Sequence, residues 1–261
     1  MDKMLKLSKV PMFVLQPVLQ TIPFFRKVLS RDPDQIRYIV ENSVLQEIQP
    51  GETVIKKGEL DNSIYFLVMG FLAVYPDNDS VMPVAKINPD EMFGEMAMIQ
   101  RLERTTTVRG DLNSRRIVLI RTDFSPFGEL NDMRRISLAT KMVFYQAIVE
   151  TIRHRLDRFC EMYPEFAVDH DIALPPLPQN ASDAKEMLVY HYRTGQRLAQ
   201  VLARWNDQLG DLFGRRGSPH DMGLNTLLTM LDQETERQSR LRLAMHMRKS
   251  AVATGLAAKH A

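Results

Sequence analysis

Three kinds of hydrophobic pattern follow one another along the chain, and each predicts a different kind of structure. Between about 21 and 43 the apolar residues recur at helical spacing, and Asp32 followed by Pro33 is a favourable helix start, so short helices should begin the domain. From about 44 to 124 the apolar residues form brief runs separated by Gly, Pro, Asn and Asp. Many short strands joined by turns indicate an antiparallel sandwich or barrel.

A longer helical pattern follows the strands. Apolar residues recur from Met133 to Leu156, which predicts a helix of about 30 residues. A helix of that length usually packs on another chain as well as on its own domain. Three prolines, Pro175, Pro176 and Pro178, then indicate a linker. Beyond it, helical segments at about 182–212 and 225–247 predict a helical hairpin.

These patterns divide the chain into five parts. They are an N-terminal arm with helices at 1–43, a strand-rich unit at 44–124, a long helix at 125–168, a Pro-rich linker at 169–181 and a helical interaction region at 182–261. The predicted fold class is therefore α+β, with an antiparallel barrel flanked by helices.

Composition narrows the function classes. The 261 residues are 44% hydrophobic and carry a net charge of only +2, so neither nucleic acid nor a membrane is expected as a partner. One cysteine, Cys160, suits the cytoplasm. The six histidines are scattered, which predicts no metal site. The sequence also lacks a G-x-S-x-G motif, a Walker loop and an acid–base pair, so we expect a protein that is not an enzyme.

One segment carries a recognisable chemistry, the run FGEMAMIQRLERTTTVR from Phe93 to Arg109. Gly94 lets the backbone approach a ligand closely, and the residues from Glu95 onward can form a short helix whose first N–H groups attract anions. Arg104 has no nearby carboxylate except that of Glu103, which should point the other way along a strand. A guanidinium and a helix start facing one cavity would hold a phosphate, while Glu95 would accept a hydrogen bond from a ribose hydroxyl.

This run resembles the phosphate-binding cassette of cyclic nucleotide-binding domains, in the form seen in protein kinase A regulatory subunits and, as a close variant, in bacterial CRP/FNR-type sensors. The run PGETVIKKGE from Pro50 to Glu59, followed by IYFLVMG, resembles the early strands of the same family. The resemblance covers about residues 22–159 and implies an antiparallel β-roll, or jelly roll, followed by a long hinge helix. One departure is Glu103, where kinase-type cassettes usually have proline.

The resemblance also implies the roles of individual residues. Glu95 should bind the ribose 2′-hydroxyl and Arg104 the cyclic phosphate, and the ligand should be cAMP or cGMP without a metal. Base rates favour cAMP. The long helix should cap the base, with Phe144, Tyr145, Ile148 and Thr151 as candidates. The expected ligand-binding residues are Phe93, Gly94, Glu95, Met96, Ala97, Arg104, Thr105, Thr106, Tyr145 and Ile148.

Three functions stay open at this stage. The first is a cytoplasmic cyclic nucleotide receptor, expected to be a homodimer, which signals to an unidentified effector protein through its C-terminal helices. The second is a nucleotide-responsive DNA-binding regulator, although the C-terminal segment has no short recognition helix or hairpin wing. The third is a scaffold that binds no ligand, in which Arg104 and Glu95 pair with each other. Burial of such a pair would be costly, which favours the receptor.

Overall fold

The computed structural model describes residues 4–127, 129–162 and 172–214, and side chains as far as residue 208. These residues belong to one unit, Met1–Gly214, and a second unit comprises Arg215–Ala261. The second helix of the hairpin predicted from the sequence, at about 225–247, lies outside the described residues.

Nine short strands form two antiparallel sheets in the described part of the chain. One sheet has the order β1-β2-β9-β4-β7 and the other has the order β3-β8-β5-β6. The strands are β1 (Met4–Lys6), β2 (Ser43–Ile48), β3 (Thr53–Ile55), β4 (Ser63–Met69), β5 (Leu72–Tyr75), β6 (Ala85–Ile87), β7 (Met92–Phe93), β8 (Thr107–Gly110) and β9 (Ile117–Asp123). The predicted α+β class with an antiparallel β-roll is confirmed.

Six α-helices accompany the sheets within the same described ranges. They are α1 (Met12–Thr21), α2 (Pro23–Arg31), α3 (Gln35–Glu41), α4 (Glu95–Gln100), α5 (Leu138–Met162) and α6 (Ala184–Gly214). Short helices do precede the barrel. However, α3 begins at Gln35 and not at Pro33, because the side chain of Asp32 is used elsewhere: its Oδ2 accepts hydrogen bonds from the hydroxyls of Ser137 and Thr140 at the start of α5.

Two apolar cores hold these elements together. The first lies between the sheets and contains residues such as Leu67, Leu72 and Leu119. The second lies between the five-stranded sheet and the helices and is rich in stacked or tilted rings: Phe24, Phe25, Phe66, Phe124, Phe127 and Phe144. Because α5 is buried against this second core, its position relative to the barrel is set by aromatic packing.

The long helix differs from its prediction in extent and in environment. It has 25 residues and begins at Leu138, later than the pattern indicated. The apolar face that suggested a second chain is covered by α6 of the same chain, with Gly195 lying opposite Ile148 and Ile99. Residues 184–214 therefore belong to the same unit as the barrel, and the length of α5 no longer argues for a dimer.

Candidate functional site

A cavity of about 370 Å³ lies beside the four-stranded sheet and is closed by helices on its other sides. Mainly apolar side chains from the sheet, with Lys86 and Asn88, form one wall, the segment around α4 forms the second, and α5 and α6 form the third. The lining residues are Ile55, Val74, Ala85, Lys86, Ile87, Asn88, Phe93, Gly94, Met96, Ala97, Arg104, Thr105, Thr106, Val108, Arg155, Arg158, Phe159, Glu161, Met162, Leu202 and Asn206.

The turn into α4 needs a glycine for two reasons. Gly94 has φ 86°, in the left-handed region that residues with a Cβ rarely adopt. In addition, a Cβ at this position would lie 2.8 Å from Nη1 of Arg104. The left-handed turn therefore brings the backbone of Gly94 directly against the guanidinium of Arg104.

Arg104 is 4% exposed, and protein atoms surround its guanidinium. Nη1 donates to the carbonyl oxygen of Gly94 (2.5 Å), and Nη2 donates to Oδ2 of Asp61 (3.0 Å) and to the carbonyl oxygen of Ser63 (2.6 Å). Since a guanidinium has five N–H donors, these three bonds leave two donors on a side chain that lines the cavity.

Asp61 is the countercharge that allows Arg104 to be buried. Burial alone would raise the pKa of the Asp61 carboxyl, but hydrogen bonds from Ser63 and from Arg104, with the positive charge of Arg104, outweigh burial and lower the pKa to about 2. The hydroxyl of Tyr65 also donates to Asp61 (3.0 Å). Burial, together with the negative charge of Asp61, raises the pKa of Tyr65 to about 12. At neutral pH the site therefore contains an ionised carboxylate and a neutral phenol.

The backbone around Arg104 is held in place without the usual proline. The N–H of Arg104 donates to the carbonyl of Glu59 (2.9 Å), and the N–H of Gly58 donates to the carbonyl of Arg104 (2.9 Å). These two bonds fix the segment after Glu103 against the loop that follows β3.

Glu95 is fully buried and binds a different arginine. Its Oε1 accepts a hydrogen bond from Nη1 of Arg155 on α5 (2.6 Å), and Nη2 of Arg155 donates to the carbonyl of Met92 (2.6 Å). The second oxygen, Oε2, is buried and has no hydrogen-bond partner among the described residues. An unsatisfied carboxylate oxygen in a buried position is costly, so Oε2 is an acceptor that a hydrogen-bond donor would stabilise.

The direct pairing of Arg104 with Glu95, which the ligand-free alternative requires, does not occur. Arg104 binds Asp61, and Glu95 binds Arg155. The argument that burial of an Arg104–Glu95 pair would be costly therefore does not apply, since each charge has its own partner. The two pairs connect the segment around α4 to the residues before β4 and to α5.

The structure brings together most of the residues predicted from the cassette. Seven of them line the cavity: Phe93, Gly94, Met96, Ala97, Arg104, Thr105 and Thr106. Glu95 lies next to them, but it is not part of the cavity wall.

Two predicted residues, Tyr145 and Ile148, are not brought to the cavity. Both are buried in the core between the sheet and the helices, where the hydroxyl of Tyr145 donates to the carbonyl of Phe127 (2.8 Å) and Ile148 faces α6. Phe144 packs among the aromatic rings, and Thr151 lies at a separate small pocket. Phe144, Tyr145 and Ile148 lie on the first half of α5 and Thr151 lies just past its middle, whereas the cavity is lined by the last two turns of the helix.

Sequence reasoning missed the residues that complete the site from distant parts of the chain. Asp61 is 43 residues from Arg104, and Arg155 is 60 residues from Glu95. Leu202 and Asn206 come from α6, beyond the linker. One signal was present, since Asp61 begins a short polar run directly before the strand at Ser63, but nothing in the sequence identified its partner.

A larger groove of about 1050 Å³ also borders Asp61. Its walls include Leu60, Asn62, Arg101 and Arg121, and it contains none of the cavity residues except Ala97. We place the candidate site in the smaller cavity, because Arg104 and the turn at Gly94 open into that one.

Metal ligands and membrane spans are not found in the described part of the chain. Among the described residues, no group of three or more His, Cys, Asp or Glu side chains is placed to hold a metal ion. None of the described helices has the length and apolar character required to cross a bilayer.

Comparison with known proteins gives one family match. Residues 45–128 match the family model described as "Cyclic nucleotide-binding domain". The human potassium/sodium hyperpolarization-activated cyclic nucleotide-gated channel 2 is 25% identical over 128 residues, which is 49% of this chain and 14% of the channel. The rabbit (Oryctolagus cuniculus) channel 1 of the same type has the same identity over the same number of residues and the same two coverages. The similarity thus covers a small part of these channels.

Two solved structures illustrate the similarity in space. The cAMP complex of the regulatory domain of Toxoplasma gondii PKA is 15% identical, with a TM-score of 0.40, covering 52% of this chain and 49% of that one. The sensor domain of the transcriptional regulator DNR from Pseudomonas aeruginosa is 21% identical, with a TM-score of 0.35, covering 41% and 72%. Identities and TM-scores this low do not indicate which ligand this chain binds.

Proposed function

Because residues 45–128 of this chain form a cyclic nucleotide-binding domain, we propose that the protein is a cyclic nucleotide receptor that signals by a change of conformation and does no chemistry on its ligand. The observation that carries the proposal is the buried guanidinium of Arg104, which lines a cavity of suitable size and retains two N–H donors.

In the proposed complex the cyclic phosphate accepts hydrogen bonds from Arg104. Asp61 holds the guanidinium in place from behind, so the charge is compensated before the ligand arrives and is already oriented toward the cavity. Charge-assisted hydrogen bonds between a guanidinium and a phosphate are short and strong, and a fixed guanidinium loses little side-chain entropy when it forms them.

Glu95 is proposed to bind the ribose. A ribose hydroxyl is a donor, and Oε2 of Glu95 is an acceptor without a partner among the described residues. Since Glu95 is not part of the cavity wall, the carboxylate must turn toward the ligand on binding. Its partner Arg155 lies on α5, so this movement links the ligand to the long helix.

We favour cAMP over cGMP because cAMP is the more frequent ligand in the family. We also propose that the signal passes through α5 and α6 to an effector protein. Both helices contribute to the cavity wall, and α6 leads directly into the segment 215–261. Ligand binding shifts the equilibrium between two positions of these helices. The size of the shift is set by the difference between the ligand's affinities for the two conformations. A homodimer and a cytoplasmic location remain predictions of the sequence, and light scattering of the full chain tests the dimer.

The test of the binding site is isothermal titration of the full chain with cAMP and with cGMP. The variant is Arg104→Lys, which keeps the positive charge beside Asp61 but loses the planar fork of donors. We expect the affinity for the preferred nucleotide to fall about 10- to 100-fold, the range of one or two charge-assisted hydrogen bonds.

Arg121→Gln is the matched control. Arg121 also contacts Asp61 (3.5 Å) and binds the hydroxyl of Ser63, but it does not line the cavity, so the affinity of this variant should stay within about twofold of the wild type. No binding of either nucleotide to the wild type at millimolar concentration would refute the receptor. Equal losses of affinity in Arg104→Lys and in Arg121→Gln would refute the role of Arg104.

A further inference from the structure

Residues 4–21, which we call the leading segment, pack on the domain with one side only. Strand β1 at its start pairs with β2. Leu7 in the turn after β1 is fully buried, and in α1 the buried residues are Leu15 and Leu19. Since Leu15 and Leu19 are about one helical turn apart, they form the inner face of α1 and anchor it to the core.

The other side of the leading segment exposes apolar side chains. Phe13 is 79% exposed, and it lies about 200° around the helix from Leu15. The exposed large apolar side chains of this segment are Met4, Leu5, Met12, Phe13 and Val14. They are a third of all such side chains that the described residues expose, within eleven residues of sequence. Single exposed apolar residues are normal, but a concentration of them indicates an interaction surface.

Helix α1 has no charged residue in its sequence, MFVLQPVLQT. A helix on the surface of a soluble domain normally places charged residues on its outer face. Here the exposed outer positions are occupied by Phe13, Gln16, Pro17 and Gln20. The outer face of α1 therefore combines apolar and uncharged polar groups.

Basic residues flank this surface, and acidic residues are missing from the same stretch of sequence. Residues 4–31 include five lysines and arginines and neither aspartate nor glutamate, whereas the whole chain has a net charge of only +2. Lys6 and Lys9 are exposed, and neither has an ion-pair partner among the described residues. At the other end of α1 the hydroxyl of Thr21 donates to Asp90 (2.9 Å), so the uncompensated positive charge belongs to the start of the segment.

We propose that the start of the leading segment docks on an anionic lipid surface. The side chains of Met12, Phe13 and Val14 enter the boundary between headgroups and acyl chains, and Lys6 and Lys9 bind lipid phosphates. Apolar burial and attraction to anionic headgroups add in such an arrangement. The segment lies in the plane of the interface and does not cross the bilayer, for which none of the described helices is long and apolar enough.

The charge distribution disfavours a second copy of this chain as the occupant. A two-fold contact through this surface would bring Lys6 and Lys9 of both copies close together, and the leading segment has no carboxylate to neutralise them. The expectation from the sequence that a membrane is no partner rested on the net charge of the whole chain and on the lack of a spanning segment. Neither property describes a local surface.

The charge is tested by co-sedimentation of the full chain with vesicles, without nucleotide. One set of vesicles is phosphatidylcholine alone, and the other is equal parts of phosphatidylcholine and phosphatidylglycerol. The wild type should bind the mixed vesicles only. Lys6→Gln combined with Lys9→Gln should weaken this binding about 30-fold, roughly fivefold for each lysine. The control combines Lys56→Gln with Arg115→Gln, which removes the same charge from exposed positions elsewhere and should stay within about twofold of the wild type.

The apolar contribution is tested with Phe13→Ser in the same assay. Because Phe13 is 79% exposed, the domain should keep its melting temperature, while the affinity for the mixed vesicles should fall at least about tenfold. The control is Leu112→Ser, which removes a side chain that is 74% exposed between β8 and β9 and should leave vesicle binding unchanged.

Three results would overturn the proposal. The first is a wild type that does not bind the mixed vesicles. The second is an equal loss of binding in the two charge variants, because total charge would then explain the attraction. The third comes from light scattering without vesicles: a wild-type dimer that Phe13→Ser converts to a monomer would make this surface an interface between copies. None of these side chains lines the 370 Å³ cavity, so the proposal goes beyond the receptor function and does not depend on the nucleotide titration.

Discussion

The ion pair between Arg155 and Glu95 connects α5 to the phosphate-binding segment, and its removal should have a large effect on stability. Glu95 is 0% exposed and the side chain of Arg155 is 18% exposed, with 2.6 Å between Nη1 and Oε1. In Arg155→Met the carboxylate stays buried without a countercharge, and the carbonyl of Met92 also loses a donor. The methionine fills much of the space of the arginine stem, so the main loss is electrostatic.

The expected size follows from this burial. Removing one partner of a buried ion pair costs about 3–5 kcal/mol, because the remaining charge is unpaired in a poorly solvated position. For a domain of this size 1 kcal/mol shifts the melting temperature by roughly 2–4 °C, so the variant should melt about 6–20 °C below the wild type. The double variant Glu95→Gln with Arg155→Met should recover part of the loss, because it removes the unpaired charge.

Thermal and urea denaturation of the full chain, without ligand, provide the measurement. Arg158→Met is the control: Arg158 lies one turn further along α5 and also lines the cavity, but its pair with Glu91 (3.2 Å) is between side chains that are 30% and 21% exposed. That pair should contribute less than about 1 kcal/mol. If both variants lose the same stability, or if Glu95→Gln does not rescue Arg155→Met, the pair does not have the role described here.

Two further predictions concern the turn at Gly94 and the histidine His191 on α6. Gly94→Ala should destabilise the protein by about 1–3 kcal/mol and weaken nucleotide binding, because the new Cβ would have a left-handed φ and would press on Arg104. The control is Gly195→Ala, which lies in a helix with room for a Cβ and should be neutral or stabilising. Burial lowers the pKa of His191 on α6 below its usual value of 6.5, with a smaller lowering from Arg153 and an opposing effect of Glu150. The folded state therefore favours the neutral imidazole. Its contribution to stability is fully present above pH 6.5 and is lost as the pH falls through the lowered pKa. Melting curves from roughly pH 7.5 to 5 should show this loss in the wild type and less of it in His191→Gln; identical profiles would contradict the assignment.

Local features of the chain were sufficient to predict much of the fold and one side of the site. The apolar pattern changes from helical spacing to short strand-like runs and back to helical spacing, and these changes located the helices and the barrel. Such patterns can be read from the sequence because they depend only on neighbouring residues. The cassette from Phe93 to Thr106 was also recognisable, because its turn, its short helix and its arginine are close in sequence. Seven of its residues do line one cavity.

The tertiary structure alone decided which groups complete the site. Asp61 and Arg155 bind the cassette, and Leu202 and Asn206 of α6 line the same cavity, through chain reversals whose geometry no local pattern contains. Tyr145 and Ile148 were assigned to the ligand because the family resemblance implied that the long helix caps the base, but α5 is covered on more than one side, by α2 and by α6. Periodicity identifies which residues of a helix are buried, and only the packing of its neighbours determines whether they face a ligand or the core.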